Sequence, residues 1–398
     1  MNNLHKIHLQ LNSLAIFRNI LKSPVISKLE KLLSNMSDSD GGGFAHSVDF
    51  YAEFVSELYQ NTDNLSEYIF NLVLSDENFY IKAKSKGQSF DIAIEKALEN
   101  ELLILQELSQ LTSRDVKNSI GYAGALPDWN TSSYDFLSAY KARLEDVSKH
   151  GFGMFAKYHM FYAIDGSLNP VKYPDTQSLD AFSHYERERE IVIKNTLVLL
   201  EGKKASNVLL YGDAGTGKSS TVKAVVNHFK DEGLRLVEVK KHQLHTLPDI
   251  FEELAGLPLK FIIFIDDLSF SENDDNFTAL KALLEGSAYS VSDNVAIYAT
   301  SNRRHLIKES FSSRFGDEIH ASDSMQELTS LAARFGLKVT FDKPDKETYL
   351  AIVTQIANDY GVPVSEQLFI DAEAYALRNN GRSPRAAKQF IELQKSNL

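Results

Sequence analysis

The sequence predicts an α/β protein: a parallel sheet covered by helices on both faces, preceded by a mostly α-helical N-terminal region. Three observations predict it. Beyond about residue 180, short β-rich runs (VLLY, LRLVEV, FIIFI, VAIYAT, LKVTF) alternate with helical stretches, as strands joined by crossover helices do. Four of these runs are nearly all apolar, as expected of strands buried on both faces. In residues 1–165 apolar side chains recur at helical spacing instead, as in Phe50–Leu74 and Phe90–Leu111.

From the N-terminus, MNNLHKIHLQLNSLAIFRNILKS has no acidic residue before Glu30. Ser is sparse and Arg nearly absent, so it reads as an amphipathic first helix and not as a transit peptide. SDSDGGG, Ser37–Gly43, suits neither helix nor strand and reads as a flexible joint. It lacks the preceding strand and the Lys that a phosphate-binding loop needs. Asp165–Asp180, DGSLNPVKYPDTQSLD, carries two prolines and reads as a linker. After Phe341 the strands stop, and residues from about Asp345 read as three helices. The expected division is a helical region over 1–165, an α/β core over 166–342 and a C-terminal helical lid over 343–398.

Composition narrows the function. There is no cysteine, which excludes disulfides, thiolate zinc sites and cysteine nucleophiles and suits a cytoplasmic protein. The net charge of −12 is spread over both halves, against the many phosphate contacts that tight, non-specific nucleic-acid binding requires. No apolar run reaches the roughly eighteen residues of a membrane span. His242 and His245 have a metal-ligand spacing, but no acidic or histidine partner completes a set, and they read as surface residues.

The chemistry starts in LLYGDAGTGKSSTVKAV. Gly212, Asp213, Ala214, Gly215, Thr216, Gly217, Lys218 and Ser219 fit G-x-x-x-x-G-K-[ST], the phosphate-binding loop. Glycines let backbone N–H groups curl around one anion, and the following helix adds its positive N-terminus. Lys218 is expected to reach the β- and γ-phosphates of ATP, Ser219 to ligate Mg²⁺, and Ser220 to complete the nucleotide-binding set.

About fifty residues on, KFIIFIDDLSF is a buried strand ending in paired carboxylates, the Walker B arrangement. Asp266 is expected to hold the Mg²⁺ shell. Asp267 stands where a base that polarises the attacking water belongs, one methylene shorter than the usual Glu. VAIYATSN is a further strand, and Asn302 at its tip could hydrogen-bond both the γ-phosphate and the water.

These strands in this order, followed by a helical appendage, resemble an AAA+ ATPase. FIIFIDDLSF, YATSNRRHLI and SLAARFGLKVTF narrow the resemblance to a bacterial AAA+ family known only as a domain of unknown function. It covers roughly Asp180 to Leu398. The resemblance implies a five-stranded parallel sheet in the order 5-1-4-3-2 and a helical lid. It also implies an arginine finger before the last strand: Arg334 in LAARFG, with Arg314 in SSRFGDE as runner-up. A finger acts on a neighbouring subunit, so a homo-oligomer follows. In GRSPRAAKQFIE, Ser383 and Pro384 suit a helix start, and the resemblance makes Arg385 a second sensing arginine, with Arg382 as the alternative. Leu179, Phe182 or Tyr185 could pack on the adenine base, or could equally be core residues. The implied activity is Mg·ATP hydrolysis coupled to remodelling or loading of a macromolecular partner, a protein client rather than a membrane. A nucleotide-switched recruitment module is the alternative, and a small-molecule kinase fits less well.

Overall fold

A computed structural model describes residues 3–37, 44–181, 184–269, 275–284, 292–302, 333–379 and 381–396. The expected joint beyond Ser37, Phe182 and Arg314 lie outside these residues. Contacts divide the chain into two units, Met1–Lys157 and Tyr158–Leu398.

In the first unit the described segments fold as α1 (Asn3–Asn12), α2 (Pro24–Ser37), α3 (Phe44–Tyr59), α4 (Leu65–Ser75), α5 (Phe79–Ser85), α6 (Ile92–Ser109), α7 (Ser113–Ile120), α8 (Phe136–Glu145), α9 (Val147–His150) and α10 (Met154–Lys157). The continuous apolar pattern over Phe50–Leu74 is two helices. Asn64 opens the second, its side chain accepting the backbone N–H of Glu67, so local capping chemistry outweighs the period. Asn78, Thr112 and Asp135 cap α5, α7 and α8 in the same way. Trp129 packs edge-on against Phe54 and beside Tyr51, and its indole N–H donates to the Leu111 carbonyl at 2.8 Å. Glu101 of α6 is buried in this core. Its carboxylate accepts the backbone N–H groups of Ala15, Ile16 and Phe17 at 2.9 to 3.1 Å.

The second unit is built on a seven-stranded sheet. Its strands are β1 (Met160–Ile164), β2 (Ser167–Pro170), β3 (Val208–Gly212), β4 (Leu234–Glu238), β5 (Lys260–Ile265), β6 (Val295–Ser301) and β7 (Leu337–Phe341). They lie in the order β2-β1-β4-β5-β6-β3-β7. The five expected strands are all parallel, and in chain order among themselves they read 5-1-4-3-2. Even-numbered residues of β5, Ile262 and Phe264, share one core with Val192 and Leu199 of α11 (Glu186–Leu200) and Val222, Val225 and Val226 of α12 (Lys218–Phe229). Phe261, Ile263 and Ile265 alternate to the other face and are equally buried, which is why the run is apolar throughout. The helix α13 (Leu247–Ala255) contacts β6, and α14 (Asp275–Leu284) follows β5 in the chain.

Two strands correct the expected sheet. β1 pairs in parallel with β4, Met160 opposite Leu236, and antiparallel with β2. These residues read in the sequence as the end of the helical region and the start of a linker. Asp165 and Gly166 turn the hairpin with φ of 48° and 80°, the two positive dihedrals of a type I′ turn, for which Asp-Gly is a preferred pair.

Beyond β7 come the three expected helices, α15 (Lys346–Tyr360), α16 (Glu366–Arg378) and α17 (Pro384–Lys395). They close around Tyr349, Ile352, Val353, Leu368, Phe390 and Ile391. Among the described residues no helix is long and apolar enough to cross a membrane.

Candidate functional site

The glycine turn sits between the C-terminal end of β3 and the start of α12. Gly212, Gly215 and Gly217 have φ of 134°, 79° and 95°, left-handed values that side chains resist. Gly212 is fixed a second way, since a Cβ there would meet the Phe341 carbonyl at 2.1 Å. Thr216 ties the turn to itself through its hydroxyl, which donates to the Asp213 carbonyl at 2.9 Å. Lys218 is 5% exposed, and its ammonium donates to the carbonyls of Gly212 and Asp213 at 3.0 and 2.6 Å. Burial lowers its pKa, while the carboxylates of Asp213, Asp266 and Asp267 pull the other way and Arg385 adds to the lowering. These five charged groups therefore share one field.

β5 and β6 bring the remaining expected residues to the same edge. Ser219 donates its hydroxyl to Asp266 Oδ1 at 2.6 Å, so the two residues expected at a Mg²⁺ are one hydrogen bond apart. A hydroxyl and a carboxylate beside an anion cradle are hard oxygen donors, a set that fits Mg²⁺ shared with phosphate oxygens. Asn302, just past β6, donates its amide to Asp267 Oδ1 at 2.8 Å. Asp267 has φ of 53°, uncommon for a residue other than glycine.

The lid closes the turn from another side. Ser383 caps α17 as expected, accepting the Ala386 N–H. The Arg385 N–H donates to the Gly215 carbonyl at 3.2 Å. A cavity of about 360 Å³ lies here, lined by Gly215, Thr216, Gly217, Ser220 and Thr221 of the turn and α12, and by Ile352, Ile356, Tyr360, Arg385 and Lys388 of the lid. Tyr185, Arg189 and the acidic Asp359 also line it. Tyr185 stacks on Phe341 at 5.3 Å and donates its hydroxyl to the Asp342 carbonyl. Of the three side chains considered for the base, Tyr185 lines this cavity, while Leu179 lines a separate one with His159 and Asn227. Arg382 makes a two-pronged ion pair with Glu373 at 2.7 and 2.8 Å, which separates it from Arg385.

Arg334 is half-buried just before β7, outside the residues lining the cavity. His242 and His245 are exposed, as expected, on a short 3₁₀ helix, Lys241–Thr246. Among the described residues no cluster of three or more His, Asp or Glu is arranged around a metal position. Thr300 is a residue the sequence did not single out. It is buried in β6, and its hydroxyl touches both Asp266 and Asp267. Its signal was faint, a polar residue two positions before Asn302 where a largely apolar strand ends in Thr-Ser.

Compared with known proteins, a stretch of 69 residues is 39% identical to an ORC1-type DNA replication protein of Desulfurococcus amylolyticus. That stretch is 17% of this chain and 16% of the relative. Among solved structures, the Thermotoga maritima RuvB Holliday junction branch migration motor matches at 17% identity and a TM-score of 0.38, over 55% of this chain and 64% of that one. The Aeropyrum pernix Orc1 protein in complex with DNA matches at 16% and 0.39, over 55% and 61%. The chain thus spans less than two thirds of each of these proteins. Its own strand order, glycine turn and helical lid agree with the AAA+ module that the resemblance implied for the fold. The family described as "Protein of unknown function (DUF815)" matches residues 155–398, the whole of that module, and the chain belongs to this family.

Proposed function

We propose that the protein binds Mg·ATP between the phosphate loop and the lid and hydrolyses it. The observation that carries this reading is the convergence of Lys218, Ser219, Asp266, Asp267 and Asn302, from three neighbouring strands, on one edge of the sheet. That edge, at the carboxyl ends of parallel strands, is where α/β sheets bind nucleotides. Gly212 to Ser220 cradle the phosphates. Ser219 and Asp266 would hold Mg²⁺, which would supply charge neutralisation for the phosphates. Asp267 accepts a proton from the attacking water as Asn302 orients it. The new P–O bond forms as the bond to the β-phosphate oxygen breaks and ADP leaves. Arg385 compensates the developing charge from the lid.

The wider reading is a cytoplasmic homo-oligomer in which Arg334 acts on the nucleotide of the neighbouring subunit and the helical unit engages a protein client. With a net charge of −12, nucleic acid is the weaker candidate. A recruitment switch with little turnover is the second reading. It is favoured by the direct ties from loop to lid, where the Gly215 carbonyl accepts the Arg385 N–H and the Asp213 carboxylate accepts that of Lys343. Phosphate release from ATP by the full chain tests both. Release that requires Mg²⁺ and stops with EDTA supports hydrolysis. Mg²⁺-dependent ATP binding without release supports the switch. Mixing Arg334→Ala with Asp267→Asn chains tests the finger: partial recovery of turnover places it in trans.

A further inference from the structure

We propose that Thr300 is the positioning residue of this site, setting the geometry of both Walker B carboxylates through its single hydroxyl. The proposal rests on the reading of the site as one for Mg·ATP.

A threonine hydroxyl has one proton to give and lone pairs to receive. Thr300 gives its proton to Asp266 Oδ1 at 2.6 Å and receives the backbone N–H of Asp267 at 2.9 Å. It is 2% exposed, so its hydroxyl is buried although the carboxylate of Asp266 reaches solvent. Its backbone carbonyl takes the Leu268 N–H at 2.7 Å. One residue of β6 thus binds three consecutive residues at the end of β5.

Successive side chains of an extended strand point to opposite faces. Asp266 and Asp267, continuing β5, would therefore diverge. The left-handed φ of 53° at Asp267 ends that alternation. Such a backbone is unfavourable for a residue with a Cβ and persists where neighbours over-determine it. Here the neighbours are Thr300, on the Asp267 N–H and on Leu268, and Asn302, on the Asp267 carboxylate. Asp266 receives two hydroxyls, from Ser219 and Thr300. Short bonds of this charge-assisted kind hold a carboxylate firmly, and the one from Thr300 comes from a residue outside the expected metal set.

The test compares wild type, Thr300→Ser, Thr300→Val and Thr300→Ala as full-length chains. Three quantities are read: hydrogen exchange at the Asp267 amide in nucleotide-free protein, the Mg²⁺ concentration that half-saturates tightening of ATP binding, and kcat against KM. Val and Ala remove the hydroxyl and Ser keeps it; Ala serves if Val does not fold. Loss of the hydroxyl is expected to speed Asp267 exchange and raise the Mg²⁺ requirement by roughly tenfold to a hundredfold. It should lower kcat with little change in KM, and Ser should recover most of the loss. Exchange and Mg²⁺ dependence in Val and Ala equal to wild type would overturn the proposal, as would a Ser variant impaired as much as they are. A wild-type protein whose ATP binding ignores Mg²⁺ overturns the reading of the site along with this role. Normal Mg²⁺ dependence with no effect of Val or Ala overturns Thr300 alone.

Discussion

Each unit fixes a carboxylate with hydrogen bonds, but Glu101 is buried while Asp266 and Asp267 are exposed. In the helical unit, the Glu101 carboxylate is surrounded by three backbone N–H groups that belong to a fixed turn of chain. In the sheet unit, Asp266 receives side-chain hydroxyls from Ser219 and Thr300, and Asp267 sits on a left-handed backbone beside glycines at positive φ. A carboxylate saturated by main chain can only hold structure, because moving it orphans buried donors. A carboxylate held by hydroxyls can exchange them for a metal or a water. The difference between a buried carboxylate that locks and exposed ones that are poised separates the scaffold from the site in this molecule.

The largest effect should come from breaking the poised side. Asp267→Asn removes the proposed proton acceptor and is expected to cut turnover by roughly a hundredfold or more, with ATP affinity preserved. Turnover within about threefold of wild type would remove Asp267 from the chemistry. On the locked side, Glu101→Ala should destabilise the helical unit by about 3 kcal/mol, because three buried N–H groups lose a charged acceptor. Chemical denaturation reads this, and ATP affinity should not follow it. If affinity falls in step with stability, the locked and the poised carboxylates are not separable.

Gly215→Ala comes next. At φ of 79°, with a Cβ only 3.0 Å from Ser383 Oγ, the substitution should cost about 1–2 kcal/mol and weaken ATP binding by opening the loop–lid contact. An Ala variant with wild-type ATP affinity would show that the lid need not rest on the loop. The smallest effect concerns pH. His159, hydrogen-bonded to Asn227 at 3.0 Å, has its pKa lowered from 6.5, chiefly by burial and also by Lys230 and Arg235. The folded state keeps this imidazole neutral where the unfolded chain protonates it. Its contribution is thus full above about pH 6.5 and lost as pH falls below that value. His159→Gln should flatten the stability profile there. An unchanged slope would assign the acid sensitivity to other groups.

How far the sequence announced all this depended on the kind of signal. The loop from Gly212 to Ser219, the Asp266–Asp267 pair and the apolar strands before them were legible because each combines a residue type with a backbone requirement. The hairpin of β1 and β2 was not, since strands of five and four residues, the second ending in a proline, look like the approach to a linker, although Asp165-Gly166 carried the turn signature. Glu101 read as one more helical acid, because nothing local reveals which side of a helix meets a turn over eighty residues away. Thr300 was hidden for the same reason: its partners lie on another strand, and only the register of β5 against β6, Ile265 opposite Ala299, brings them within reach. The left-handed backbone of Asp267 had no local signature, since the contacts that hold it come from Thr300 and Asn302, at and just past the end of another strand.

The central claim, that the turn around Lys218 is a cradle for the phosphates of ATP, is tested most directly by titrating Lys218→Ala and wild-type protein with ATP in the presence of Mg²⁺. The account predicts affinity weakened by roughly tenfold to a hundredfold in the variant, the loss of a charge-assisted contact to phosphate, with the fold intact by circular dichroism. Equal affinity in the two proteins would contradict it.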